Sequence, residues 1–142
     1  METIRDETDA RTLLQDNDVL FEKLQKNAGI DPVHAEMAMT EVLRFLSLIA
    51  DSKGETLTPS ILVDDAWHEF ILCTRAYCDY CRERFGRYMH HHPGGKSAKH
   101  AEQFARTLEL YTERHGTPSP RFWDSRFHSK GDEADCGSCE AD

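Results

Sequence analysis

Apolar residues recur along this chain at helical spacing, and runs in which β-branched and polar residues alternate are almost absent. A first helix is predicted from near Asp16 or Asp18, burying Val19, Leu20 and Leu24 and ending at Ala28-Gly29. Asp31-Pro32 then reads as an N-cap followed by proline at the first helical position. Beyond it Ala35, Ala38, Met39, Val42, Phe45, Leu46 and Ile49 mark one face of a helix that runs to about Asp51. Residues 52–60 form a loop, with Thr58 or Ser60 as the cap of the next element. A long central helix is predicted from about Ile61 to Phe85. Its stripe is Val63, Trp67, Ile71, Thr74, Cys78, Cys81 and Phe85, widened by Phe70 and Tyr77, and Gly86 stops it. Pro93-Gly94-Gly95 demands a loop. A further helix from about Ala98 to His115 turns Phe104, Leu108 and Tyr111 inward, and Phe122 and Trp123 pack back irregularly. The expectation is an all-α fold: a small bundle of about four to five helices around the long central one. Residues 1–128 form a single domain, and 129–142 a disordered, flexible acidic tail carrying Cys136-Gly-Ser-Cys139.

Charge narrows the choice of partners. Charged residues make up 30% of the 142, and the formal net charge is −9. This excess of acid argues against nucleic acid and against an anionic membrane surface. No run approaches the roughly 20 apolar residues that span a bilayer. The first twenty residues lack the basic-then-apolar layout of a secretory signal. A cytoplasmic protein with reduced thiols is expected, since five cysteines in two groups do not read as a secreted disulfide framework.

Eight histidines, three of them adjacent at 90–92, point to chemistry. Asp64 and His68 lie four apart on a helix, so their side chains share a face one turn apart. That pair suits one ion, or a carboxylate orienting an imidazole, and Asp65 can replace Asp64. The competing reading is plain: an acid in the first turn favours the helix dipole, and histidine beside tryptophan is often a boundary residue. Cys78 and Cys81 also share a face, and with His90 and His91 could complete a tetrahedral site. As buried cysteines they would serve equally as small hydrophobes. The tail thiols alone supply half a site.

Distance separates these groups. An unbroken helix from His68 to Gly86 rises about 27 Å, while the four residues to His90 reach back at most about 14 Å. No proline or glycine lies between 68 and 85 to break the helix. Two clusters follow: Asp64, His68 and His115 at one end; Cys81, His90, His91 and His100 at the other. An antiparallel homodimer offers an alternative, joining His68 of one copy to His90 of the next.

The run from Asp64 to Pro93 resembles short bacterial proteins related to the plant glycine-rich domain proteins. The matching positions are Asp64, Trp67, His68, Leu72, Tyr77, Cys81, Phe85, Gly86, Tyr88, His90, His91 and Pro93. Where the plant proteins often place a second histidine two residues after the first, this chain has Phe70. The resemblance implies a helical fold without implying a reaction, and it singles out His68, His90 and His91 over His92. The resulting expectation is a divalent transition metal, zinc or iron, held by His68, Asp64, His90, His91 and Cys81. A metal-dependent enzyme of unknown substrate is one form of this. The rival is a protein–protein interaction module that uses the Trp67 stripe with Tyr77 and Tyr88, its acidic tail recruiting a basic partner. A third reading makes Cys81 a nucleophile beside an imidazole.

Overall fold

The computed structural model describes residues 2–93, 97–124 and 136–140, with side chains placed for 4–91 and 100–124. Its elements in chain order are α1 (Glu2–Asp16), α2 (Asp18–Lys26), a 3-10 turn (Pro32–His34), α3 (Ala35–Asp51), β1 (Thr56–Leu57), α4 (Ile61–Leu72), α5 (Thr74–Phe85), β2 (His92–Pro93), α6 (Ser97–His115), α7 (Pro120–Trp123) and β3 (Cys136–Glu140). The fold is all-α, with seven helices among the described residues rather than four or five. None of them is long and apolar enough to cross a membrane. The chain divides into two compact units. One comprises residues up to Arg44 with Asp65–Tyr88, the other Phe45–Asp64 with the described residues from Met89 onward.

In the first unit, α1 is an element the hydrophobic pattern does not announce. It buries Ala10 and Asp6 and is tied to Glu36 by Arg11, whose Nε and Nη2 donate to Oε2 at 3.2 and 3.0 Å. The next helix starts at Asp18 as expected and buries Leu20 and Leu24, but Val19 is 56% exposed. It closes through left-handed Gly29, and the Ile30 N–H donates to the Leu24 carbonyl at 3.0 Å. That bond reaches back six residues and folds the chain over the end of the helix, with Ile30 buried behind it. Helix α3 ends at Asp51 as predicted, but the turn from Pro32, expected as its start, is 3-10 and Asp31 makes no side-chain capping bond; every residue of the predicted stripe is buried.

The long central helix is two helices. It breaks at Cys73, whose φ of −85° and ψ of 71° leave the helical region. These angles are those of an inverse γ-turn, open to any L-residue, so neither proline nor glycine is required. The Cys73 N–H still bonds to Phe70 O at 3.0 Å, and its carbonyl accepts the Tyr77 N–H at 2.9 Å, so Cys73 itself is tied to both helices. Packing supplies the reason for the turn. Trp67 and Tyr77 would stand about 15 Å apart along a straight helix. Instead Trp67 Nε1 donates to Tyr77 Oη at 3.1 Å. Phe70 meets the Tyr77 ring edge-on, with centroids 4.9 Å apart. Trp67, Phe70 and Tyr77 are all fully buried.

In the second unit Ser60 caps α4, accepting the Val63 N–H at 3.2 Å and donating to Phe122 O at 2.6 Å. Thr58 is held by α6: its N–H donates to Thr107 Oγ1 at 3.0 Å and its hydroxyl to Gln103 Oε1 at 2.8 Å. Trp123, buried as expected, sits among the rings of Phe45, Phe104 and Tyr111. The near absence of strands needs correcting. An antiparallel sheet of order β1-β3-β2 pairs Thr56 with Glu140, Leu57 with Cys139, His92 with Ser138 and Pro93 with Cys136. Two-residue strands are too short to show alternation, which hides β1 and β2 in the sequence. Of the tail expected to be disordered, 136–140 forms β3 and the rest lies outside the described residues.

Candidate metal centre

The Ser60 cap fixes where α4 begins and so sets Asp64 in its first turn, with the Asp64 N–H on Ser60 O at 2.9 Å. One turn later the same helix carries His68. After α5 the chain becomes extended, and Met89 is buried while His90 is exposed. Side chains alternate along an extended segment, so His91 turns back inward with Met89. Its Nε2 lies 2.8 Å from Asp64 Oδ1. The two side chains are only 8% and 12% exposed. Asp64, His68 and His91 each offer one ligand atom, and these atoms all lie within 4.8 Å of one another.

This grouping corrects the expected division into two clusters. The helix breaks at Cys73, so the distance argument for a straight helix no longer applies, and His91 joins Asp64 and His68. Among the described residues no other His, Cys, Asp or Glu group of three comes so close together. Cys81, His90, His100 and His115 stand outside it. Cys81 is fully buried, outside any disulfide, and its neighbourhood helps to hold the Tyr77 proton in place. His100 is buried, while the half-buried His115 lies with its ring centroid 5.0 Å from that of Tyr111. The side chains of His92, Cys136 and Cys139 lie outside the described set. Asp65, half-buried, is not part of the group.

Cys73 shows no sign of activation. Burial and nearby Glu69 both push the Cys73 thiol above its ordinary range, which disfavours the thiolate. Trp67 and Tyr77, offered above as a docking face, are fully buried and unavailable to a partner. His91 is the member that sequence reasoning assigned to the wrong cluster. The usable signal was buried Met89 two residues before it in an extended run that ends at Pro93.

A two-histidine, one-carboxylate set can hold a first-row divalent ion and leave coordination positions open. Comparison with known proteins adds a family without a reaction. No link to the plant glycine-rich domain proteins is shown, and no curated protein and no solved structure matches the chain. The UCP032817-like family model matches residues 12–114, well over half of the sequence, and the chain belongs to that family.

Proposed function

We propose that this protein binds a divalent transition metal, zinc or iron(II), through Asp64, His68 and His91. One observation carries the reading: three ligand atoms of suitable type lie within 4.8 Å of one another, with Asp64 and His91 nearly buried at 2.8 Å. Ligands bound at ~2.1 Å stand about 3.0 Å apart at right angles and about 3.4 Å apart in a tetrahedron. The Asp64–His91 spacing is close to the first of these, so that pair already stands at ligand separation, and His68 closes on it to complete the set. An ion would take the place of the hydrogen that now joins these two groups, that proton moving to His91 Nδ1 if the ring is neutral or leaving to water if the ring is charged. Nitrogen and carboxylate donors suit zinc and iron better than magnesium or calcium. With three protein ligands, the remaining positions are open to water or substrate, which is what a metal-dependent hydrolytic or oxidative enzyme requires. Cys81 and His90 are left out of this ligand set.

Elemental analysis of untagged protein, followed by zinc and iron(II) titration, tests the proposal. One ion per chain is expected, with His91→Ala and Asp64→Asn each weakening binding by at least 10-fold, an effect comparable with altering a metal's supporting groups. A cobalt-substituted sample should lack a thiolate charge-transfer band, and Cys81→Ala should leave its spectrum unchanged. Protein that takes up no ion, or a His91→Ala variant that binds as tightly as the parent, would overturn it.

A further inference from the structure

The second unit contains a cleft of about 600 Å³ that owes nothing to the metal centre. Its floor is apolar, made by Leu48 of α3 and Leu110 of α6, and its rim is charged. On α6 the residues at 106, 110, 113 and 114 follow helical spacing, so one face of that helix supplies a whole wall. Most of the rim charge is already matched. Arg106 Nε donates to Glu55 at 2.9 Å, while Arg114 pairs with Asp51 and donates to Ser47 O at 3.3 Å.

Two rim groups of opposite sign are different. Among the described residues neither Lys53 nor Glu113 has an ion-pair partner, although both line the cleft. Lys53 also has a φ of 55°, the left-handed region that favours glycine or asparagine, and is the non-glycine residue with positive φ among those described. The turn after α3 holds it there: the Ser52 N–H and Oγ both donate to Ile49 O, and the Glu55 N–H donates to Ser52 O. Positive φ at both Lys53 and Gly54 is the backbone of a tight turn closed by that last bond, and it fixes where Lys53 stands on the rim.

An apolar floor between one uncommitted cation and one uncommitted anion matches a ligand with the inverse pattern. We propose that this cleft binds a small zwitterion with an apolar body, of the amino-acid or short-peptide type. Its carboxylate meets Lys53, its ammonium meets Glu113, and its apolar part covers Leu48 and Leu110. The volume lies in the range of small-molecule sites. A net-neutral ligand also suits a rim whose cations and anions balance, Lys53, Arg106 and Arg114 against Asp51, Glu55 and Glu113.

Leucine, leucyl-leucine, N-acetyl-leucine and leucinamide, titrated into isotopically labelled full-length protein and followed by amide NMR, test this directly. Leucine or leucyl-leucine should shift the amides of residues 52–55 and 106–114, and whichever binds tighter identifies the source as a free amino acid or a peptide. Each singly blocked compound should bind about tenfold more weakly, the worth of one charge-assisted hydrogen bond. Lys53→Ala should weaken the zwitterion by a similar factor yet leave leucinamide unaffected, and Glu113→Ala should do the same with respect to N-acetyl-leucine. Lys53→Gly, which relieves the backbone, guards against a folding artefact and should lose the same affinity as Lys53→Ala. Absence of any shift at millimolar zwitterion, or blocked compounds binding as well as the zwitterions, would overturn the proposal.

Discussion

Helix α3 runs for 17 residues without interruption, whereas the longer stretch from Ile61 to Phe85 turns at Cys73 and brings its second half back to its first. Both stretches are helical and both carry a buried stripe. They differ in what the stripe is made of. The interior of α3 is largely aliphatic, with Ala38, Met39, Val42, Leu43, Leu46 and Ile49 buried. Such side chains need only contact, which any neighbour provides. The interior of α4 and α5 adds two rings with polar tips, Trp67 and Tyr77, to apolar neighbours such as Val63, Ala66 and Phe70, and a buried indole N–H requires an acceptor. Trp67 finds one in the Tyr77 hydroxyl, and only a turn between the two helices makes that bond reachable. In this chain the two long stretches are set apart by one buried polar bond, Trp67 to Tyr77, and not by how many apolar residues each stripe holds.

The strongest test removes the two kinds of interior in turn. Trp67→Ala should cost about 3–5 kcal/mol and Leu46→Ala about 2–5 kcal/mol, the usual range for emptying a filled core position. Either is a large part of a typical total of about 5–15 kcal/mol. The informative readout is where protection is lost. Hydrogen exchange in Trp67→Ala should show amides of residues 73–77 opening well below the global stability, because the indole no longer ties the turn shut. In Leu46→Ala those amides should follow global unfolding alone. Identical exchange patterns in the two variants would mean that the ring contact does not hold the turn.

A second, smaller effect follows from the same rings. Burial pushes the Tyr77 hydroxyl far above its ordinary range, with Cys81 adding to it, and burial followed by Asp9 does the same for Tyr80. The unfolded chain releases these protons from about pH 10, while the folded protein retains them. In that window the folded state binds more protons, so stability is intact below about pH 10 and falls as the pH rises further. The slope is about 1.4 kcal/mol per pH unit for each such tyrosine. Tyr77→Phe should remove one share of that slope while costing about 1–3 kcal/mol at neutral pH, because the Trp67 N–H loses its acceptor. Urea midpoints at pH 8, 10 and 11 for both proteins would decide it, and parallel curves would count against the assignment.

The contrast also explains what could be read from the chain beforehand. The end of α3, its buried face and the Leu20/Leu24 pair follow from apolar spacing, which local physics makes legible, whereas the short helix that carries Phe122 and Trp123 reads in the sequence only as irregular. Helix α1 was missed because its buried face is small and partly polar, Ala10 and Asp6 in place of a stripe. Half of the metal centre was legible in the four-residue spacing of Asp64 and His68. The other half was hidden twice over. Which of the adjacent histidines faces inward depends on Met89 and an extended backbone, and the approach of His91 depends on a turn that no proline or glycine marks.

The mildest substitution asks whether the turn residue itself matters. If Cys73 were the cause of the break, replacing it with alanine, the best helix former, would restore a continuous helix and change stability markedly. If ring packing is the cause, alanine adopts the same inverse γ-turn without strain, because that conformation is open to any L-residue. The half-buried Cys73 thiol has little to lose, since its burial is partial and it forms no disulfide. Cys73→Ala should therefore stay within about 0.5 kcal/mol of the parent, as substitutions away from special features do. Its circular dichroism should be unchanged and its 73–77 amides as protected as before. A gain in helicity, with those amides exchanging as the interior of a single helix, would move the origin of the break from Trp67 and Tyr77 to Cys73.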